Sequence, residues 1–311
     1  MTYSLPTPDQ TFKIGTRGSP LALWQAHEVR RCLRLAFDLP EAAFEIVVIK
    51  VTGDLVQDRA LKEIGGKGLF TREIEEALLD GSIDIAVHSM KDMPVLQPAG
   101  LLLDCYLERA DVRDGFVSLH ASGIADLAQG AVVGSSSLRR RAQLAHRRAD
   151  LQLVEFRGNV QTRMKKLGDG VADATFLAMA GVTRLGMAEV ARPIEVSEML
   201  PAVAQGAIGI ERRLDDLRAK AMLDAIHHTA TGQQLAAERA FLARLDGSCE
   251  TPIAGLAVIE ADQLWLRGEI LRPDGSRVIT GDIRGAVADG AALGEALADQ
   301  LLAEAGAGFF D

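Results

Sequence analysis

Short apolar runs alternate with longer amphipathic ones through the first half of the chain. FKIGTR and FEIVVIKV each read as a strand, and LALWQAHEVRRCLRLAF between them returns to apolar residues every three or four positions, as a helix does. TREIEEALLD predicts a second helix and IDIAVHS a third strand. The pattern then restarts: AVVGS as strand, LRRRAQLAHRR as helix, LQLVEF as strand, VQTRMKKLGDG as helix and DATFLAM as strand. Strands alternating with helices predict parallel sheets covered on both faces. Two such blocks predict two α/β domains with a cleft between them, with no close internal sequence repeat.

Over the last 80 or so residues the character changes. Helical stretches near 214–228 and 233–245 lead into LDGSCETPIAG, and the runs GLAVIE, QLWLRGEI and RVITGDI alternate as an antiparallel sheet does. Leu293, Leu297 and Leu301 fall four apart and place one apolar stripe on a closing helix. This part reads as a smaller α+β domain. The stretch 200–218 fits either α/β domain by pattern alone.

Composition narrows the class of protein. At 311 residues, 48% hydrophobic and 25% charged, the chain is an ordinary globular protein long enough for several cores. No apolar run reaches the roughly 18 residues of a membrane span, and MTYSLPTPDQTFKIG lacks the basic start and apolar stretch of a secretory signal. Three distant cysteines do not make a disulfide framework. A cytoplasmic protein is the expectation. A net charge of −9 argues against general nucleic-acid or membrane-surface binding, and aromatic residues for base stacking are only 5% of the chain.

The charge is unevenly spread. Arg139, Arg140, Arg141, Arg147, Arg148, Arg157, Arg163, Lys165 and Lys166 stand close in sequence against only Asp150 and Glu155. Arginine grips planar anions by two parallel hydrogen bonds, so this stretch is either a solvated helix face or a site for a ligand with several carboxylates or phosphates. VGSSSLRR runs from a strand into a helix, where hydroxyls and exposed amides either cap the helix or hold an anion. The turn Ser89-Met90-Lys91-Asp92-Met93-Pro94 follows a strand end, where ligands gather in α/β sheets. Asp92 there either caps backbone amides or holds a developing positive charge. His88 reads most simply as a core histidine, and no His, Cys, Asp or Glu set has metal-ligand spacing. GGKG at 65–68 precedes a helix but is not a Walker sequence, and serves a phosphate or a hinge equally well. Cys32 and Cys105 lie in apolar settings, whereas Cys249 sits in a Gly-Ser-Cys-Glu-Thr-Pro loop and is the one candidate reactive thiol.

Taken in order, IGTRGSPLALWQA, VTGD, IGGKGLFTREIEEALLDGSIDIAVHSMKDMP, VGSSSLRRRAQL, FRGNVQTRMKKL, LAMAGVTRLG, LPAVAQGAIGIE and FLARLDGSCETPIAG resemble the porphobilinogen deaminase family over nearly the whole chain. The resemblance implies two α/β domains of the periplasmic-binding-protein type (type II) around a cleft, plus a small C-terminal α+β domain. It divides the chain into a discontinuous first domain, 1–105 with 200–222, a second at 106–199 and a third at 223–311.

It also implies a transferase that condenses four porphobilinogen molecules head to tail with loss of ammonia, primed on a dipyrromethane cofactor held through a thioether to Cys249. By position Asp92 resembles the catalytic aspartate. Ser89, Lys91, Ser135, Ser137, Arg139, Arg140 and Arg184 match positions that hold cofactor or chain carboxylates. Arg17, Ser19, Arg157 and Arg163 match positions that receive substrate, and Gln205 a further cleft position. Lys67 and Phe70 fall on what resembles the family's mobile active-site loop. Ser248 departs from the pattern, standing where a second glycine is common. A cytoplasmic monomer acting on a small molecule, with no nucleic-acid, membrane or metal partner, is the expectation. The competing reading is a non-catalytic two-domain receptor for a small polyanion, which requires no modified cysteine and no special Asp92.

Overall fold

The computed structural model describes residues 4–51, 71–247 and 251–310. The expected loop residues Lys67 and Phe70, and the expected cofactor cysteine Cys249, lie outside them. In chain order the regular elements are β1 (Phe12–Arg17), α1 (Pro20–Phe37), β2 (Phe44–Ile49), α2 (Arg72–Leu79), β3 (Ile85–Ser89), β4 (Leu101–Tyr106), β5 (Asp114–Ser118), β6 (Val132–Gly134) and α3 (Leu138–Arg147). There follow β7 (Gln152–Val154), α4 (Val160–Gly168), β8 (Ala174–Ala178), α5 (Met179–Arg184), β9 (Arg192–Pro193) and β10 (Ile208–Arg213). The last are α6 (Leu217–Asp224), α7 (Thr229–Arg244), β11 (Ile253–Glu260), β12 (Gln263–Leu271), β13 (Val278–Ala286) and α8 (Gly290–Ala305).

The chain divides into two compact units, Met1–Arg109 with Ala207–Gly232, and Ala110–Gly206 with Gln233–Asp311. In the first, β1 and β3 are the central strands that the apolar patterning anticipates, and α1 packs on them through Ala26, Val29 and Leu33. Local chemistry sets the start of α1: the Ser19 hydroxyl accepts the Ala22 amide at 3.3 Å, and Pro20 at the first turn needs no amide partner. Asp38, at φ 52°, ends it in the left-handed region.

Each unit holds a five-stranded sheet, and the two have the same plan. The first runs β2-β1-β3-β10-β4 and the second β7-β6-β8-β5-β9. In both, the first three strands are parallel and the last two are antiparallel to their neighbours. The all-parallel sheets expected from the sequence are therefore corrected to mixed ones. The reason lies in connectivity: β10 and β5 are the strands that follow a passage of the chain from one unit to the other. No crossover helix links either to the strand beside it, so nothing forces it parallel.

The unit boundaries also differ from those drawn on the sequence. Residues 200–206 lie with the second unit, held there by Arg139 Nη1 and Gln143 Nε2 on the Leu200 carbonyl and by the Gly255 amide on Pro201. Leu223 and Ile226 pack with the first unit's core. Within the second unit, β11, β12 and β13 form an antiparallel sheet backed by α7 and α8, and the anticipated stripe buries Leu297 and Leu301 completely. That sheet is tied to α3 by Gln143 Nε2 on Glu269 Oε1 at 2.7 Å.

Candidate active site

The expected site residues fall into two groups, one on each unit. In the first unit β1 ends at Arg17, α1 begins at Ser19, and β3 runs out through Ser89 into a 3-10 turn, Met90–Asp92. Parallel neighbours end at the same edge, so these positions come together: Arg17, Ser19, Gln25, His88, Ser89 and Asp92 line one cleft. The Ser89 hydroxyl and the Gln25 amide hydrogen-bond each other at 2.8 Å, which fixes a polar floor. Ser19 already accepts the Ala22 amide, leaving its proton to donate. The turn is closed by the Met93 amide on the Met90 carbonyl. Lys91 is half-buried beside it, and Asp92 is exposed, with no hydrogen bond or ion pair to the described residues. The reading of Asp92 as a capping residue is thereby removed.

In the second unit α3 starts at Ser137, whose hydroxyl accepts the Arg140 amide, and the Ser135 hydroxyl accepts the Ser137 amide. The cap turns Arg139 and Arg140 inward, where they are 4% and 6% exposed. Both meet one acid, Asp114 of β5. Arg139 Nη1 donates to Oδ2 at 2.7 Å, and Arg140 Nη2 and Nε donate to Oδ1 at 2.6 and 3.0 Å. Gln205 donates to the same Oδ1 at 3.0 Å, so the residue expected in the cleft is an interior bolt here. Burial pushes the Asp114 carboxyl up, but the two guanidiniums outweigh it and hold it well below the usual carboxylate range. Burial, partly offset by Asp114, lowers the Arg140 guanidinium.

Arg163 of α4 joins them. Its Nε donates to the Gly158 carbonyl and its Nη1 to the Phe176 carbonyl, which also receives Arg140. No carboxylate among the described residues pairs with it, and it is pushed down to about 10 by burial and then by the charge of Arg140, against a pull from Glu155. Arg139 and Arg140 thus share the single buried carboxylate of Asp114, with Arg163 beside Arg140 on the Phe176 carbonyl, and Arg139 Nε is sealed without any partner. Buried cations in excess of anions are costly, and a ligand with several carboxylates is what this donor set suits. Arg184 donates Nη2 to the Gly206 carbonyl, and Arg157 lies half-buried on the segment before α4.

Two residues with a part in this arrangement escaped the sequence reading. Asp114 opens the run DGFVS and looks like the end of a polar turn, although an acid at the head of a buried strand is a recognisable signal. Glu211, wholly buried on β10, sits in a stretch the pattern left ambiguous. Neither remaining described cysteine is poised as a thiolate. Burial pushes the Cys105 thiol far up and raises that of Cys32 as well. Among the described residues no group of His, Cys, Asp or Glu could hold a metal ion, and no helix is long and apolar enough to cross a membrane.

A family model described as porphobilinogen deaminase, dipyromethane cofactor binding domain, matches residues 12–221, and one described as porphobilinogen deaminase, C-terminal domain, matches residues 233–303. A curated relative from Paracoccus denitrificans (strain Pd 1222), a porphobilinogen deaminase, is 67% identical over 308 residues, covering 99% of this chain and 98% of the relative. Similar solved structures include a periplasmic aliphatic sulphonate binding protein from Escherichia coli, 16% identical, with a TM-score of 0.42 over 75% of this chain and 70% of that one. Another is a TRAP periplasmic solute binding protein from Desulfovibrio salexigens with bound orotic acid, 15% identical, with a TM-score of 0.38 over 74% and 79%.

Proposed function

The chain belongs to the porphobilinogen deaminase family, and from that membership we propose which of its own residues carry the reaction. The activity is that of a transferase of tetrapyrrole biosynthesis: stepwise head-to-tail condensation of four porphobilinogen molecules, releasing ammonia and giving hydroxymethylbilane. It is primed on a covalently attached dipyrromethane. The observation that carries the residue assignments is the surplus of buried guanidiniums over carboxylates around Asp114.

Bound through Cys249, the dipyrromethane supplies the free pyrrole carbon from which the product is extended. Arg139, Arg140, Arg163 and Arg184, with Ser135 and Ser137 at the start of α3, hold the carboxylates that accumulate as units are added, and Arg157 receives those of the incoming molecule. Because these guanidiniums are withdrawn from water, each contact keeps more of its Coulomb energy than an exposed pair does. In the first unit Arg17 and Ser19 take up substrate carboxylates at the cleft edge, and Ser89 and Lys91 steady the product chain.

Asp92 faces the positive charge that forms on the substrate ring as ammonia departs. A unit charge about 4 Å from that carboxylate gains about 4 kcal/mol at an effective dielectric near 20, which corresponds to about 10³ in rate. The exposed state of Asp92 supports this role, since among the described residues no cation competes for the carboxylate. Gln205 acts at one remove, by holding Asp114. Lys67 and Phe70, expected on the active-site loop, lie outside the described residues. The protein is read as a cytoplasmic monomer, as membership of the family implies.

Intact mass with peptide mapping around Cys249 tests the assignment. The expected result is an excess of two porphobilinogen units less their ammonia on that cysteine, and Cys249→Ala should fold without it. A mass with no excess, unchanged after incubation with porphobilinogen, would return the chain to a plain polyanion receptor.

A further inference from the structure

His88 lines the same cleft as Arg17, Ser89 and Asp92, and the mechanism above leaves it idle. The residue is 6% exposed, and Nε2 of its ring lies 3.1 Å from Oε2 of Glu211 on the adjacent strand β10. Glu211 is wholly buried, and its Oε1 has no partner. A carboxylate sealed from water with one oxygen unanswered is costly, and an apolar pair of the same size would serve the core at least as well. Glu75 of α2 adds to the cost. Its carboxyl is pushed up by burial first and by the charge of Glu211 as well.

The geometry gives the arrangement a use. A carboxylate at Nε2 takes the Nε2 proton in its hydrogen bond, which leaves the lone pair of the neutral ring on Nδ1. Nδ1 makes no hydrogen bond to the described residues, yet it is not among the polar atoms sealed without a partner, as Glu211 Oε1 is. His88 is among the residues that line the cleft, which makes the cleft the place for Nδ1 to find a partner. A nitrogen base open in front and held by a carboxylate behind is the pairing that acid–base catalysis uses.

We propose that His88, oriented by Glu211, is a second catalytic residue, carrying the proton of each condensation from the attacked pyrrole carbon to the departing ammonia. The balance closes without another reactant. The substrate's aminomethyl group enters as the ammonium; its carbon–nitrogen bond breaks and ammonia leaves with that electron pair, while a carbon–carbon bond forms to the pyrrole carbon. The hydrogen on that carbon departs as a proton and its bonding pair returns to the ring. Neutral His88 accepts the proton at Nδ1, and the imidazolium that results is stabilised by the Glu211 carboxylate. It then passes the proton to ammonia, which leaves as ammonium. Asp92 and His88 divide the work: one faces the cation, the other moves the proton. The inference rests on the reading of this cleft as the place of condensation.

Holoenzyme variants His88→Asn, Glu211→Gln and Asp92→Asn test it in single-turnover reactions with porphobilinogen, counting added units by intact mass. His88→Asn is expected to slow each addition by roughly 10²- to 10⁴-fold with KM within about threefold of the parent, and Glu211→Gln to slow it less. If Asp92→Asn stops addition while His88→Asn proceeds within about threefold of the parent rate, the role of His88 is overturned and the cleft reading survives. If Asp92→Asn also keeps its rate, the cleft reading itself falls. Should His88→Asn fail to fold, ¹⁵N-histidine NMR of the parent decides. Expected is an Nε2-protonated ring whose Nδ1 resonance moves when porphobilinogen is added. An Nδ1-protonated ring, or a resonance indifferent to substrate, overturns the proposal.

Discussion

Asp114→Asn keeps the shape of the side chain and removes one charge from the interior of the second unit. The carboxylate is fully buried and receives Arg139 at 2.7 Å, Arg140 at 2.6 Å and 3.0 Å, and Gln205 at 3.0 Å. Asparagine offers one acceptor oxygen, so whichever guanidinium it turns away from meets an NH2 group. Removing one partner of a buried pair costs about 3–5 kcal/mol, because the remaining charge is left without compensation. About 4 kcal/mol is a large part of the roughly 5–15 kcal/mol that holds a domain folded. The assay is hydrogen exchange by mass spectrometry, since a chain of two units has no single unfolding free energy. Amides of β5 and α3 should exchange roughly 10³-fold faster, at about 1.4 kcal/mol per decade, while those of β1 and β3 in the other unit serve as the unchanged control. Adding Arg140→Met to Asp114→Asn removes one of the stranded cations and should recover part of the loss. Exchange of β5 within threefold of the parent, or a double variant worse than either single one, would show that Asp114 is not the counter-charge of this cluster.

Three further outcomes follow from the same geometry. The folded Asp114 carboxyl lies below its ordinary value of 3.8, so its stabilisation is complete above about pH 4 and declines as pH falls below that; an acid titration followed by circular dichroism should show a shallower loss in Asp114→Asn than in the parent. Glu238, wholly buried on α7, accepts the Ala204 amide at 2.6 Å and the Ala257 amide at 2.7 Å. Glu238→Gln turns an NH2 toward one of those amides and should speed exchange of β11 roughly 10- to 100-fold, from about 1.5–3 kcal/mol for a charged hydrogen bond. Gly134→Ala would put a methyl 2.3 Å from the ring of fully buried Phe156, and about 1–3 kcal/mol of overpacking should lower the melting temperature by several degrees.

What could be read from the sequence was what depends on neighbours in the chain. The helix at 20–37 announces itself by its apolar spacing and by the Ser19-Pro20 start, and both appear as capping chemistry in the structure. Ser137 and Arg139 were legible as a helix start with cations just inside it. What those cations meet was not, because Asp114 lies 25 residues back, at the head of a strand whose first residues look like a turn. His88 was read as a core histidine and is indeed buried. The partner that alters its meaning, Glu211, is 123 residues away, in a stretch where pattern alone could not choose between units. The antiparallel strands were missed for a related reason. Alternation of strand and helix describes connections within a unit, whereas β5 and β10 arrive by passages between units.

That passage has a consequence for how the protein is born. β10 lies between β3 and β4 and brings Ile208 and Ile210 into the first unit's core. A ribosome delivers β3 and β4 early, then makes roughly 100 more residues before β10 appears, which at about 5–20 residues per second takes roughly 5–20 seconds. Throughout that interval β3 and β4 each lack a neighbour on a flank destined for the sheet interior. The strands β5 to β9, by contrast, emerge as one uninterrupted run and can pair as soon as they leave the tunnel. Of the two five-stranded sheets, the one begun first is therefore the one completed last, and a nascent-chain chaperone would find its exposed strand edges there.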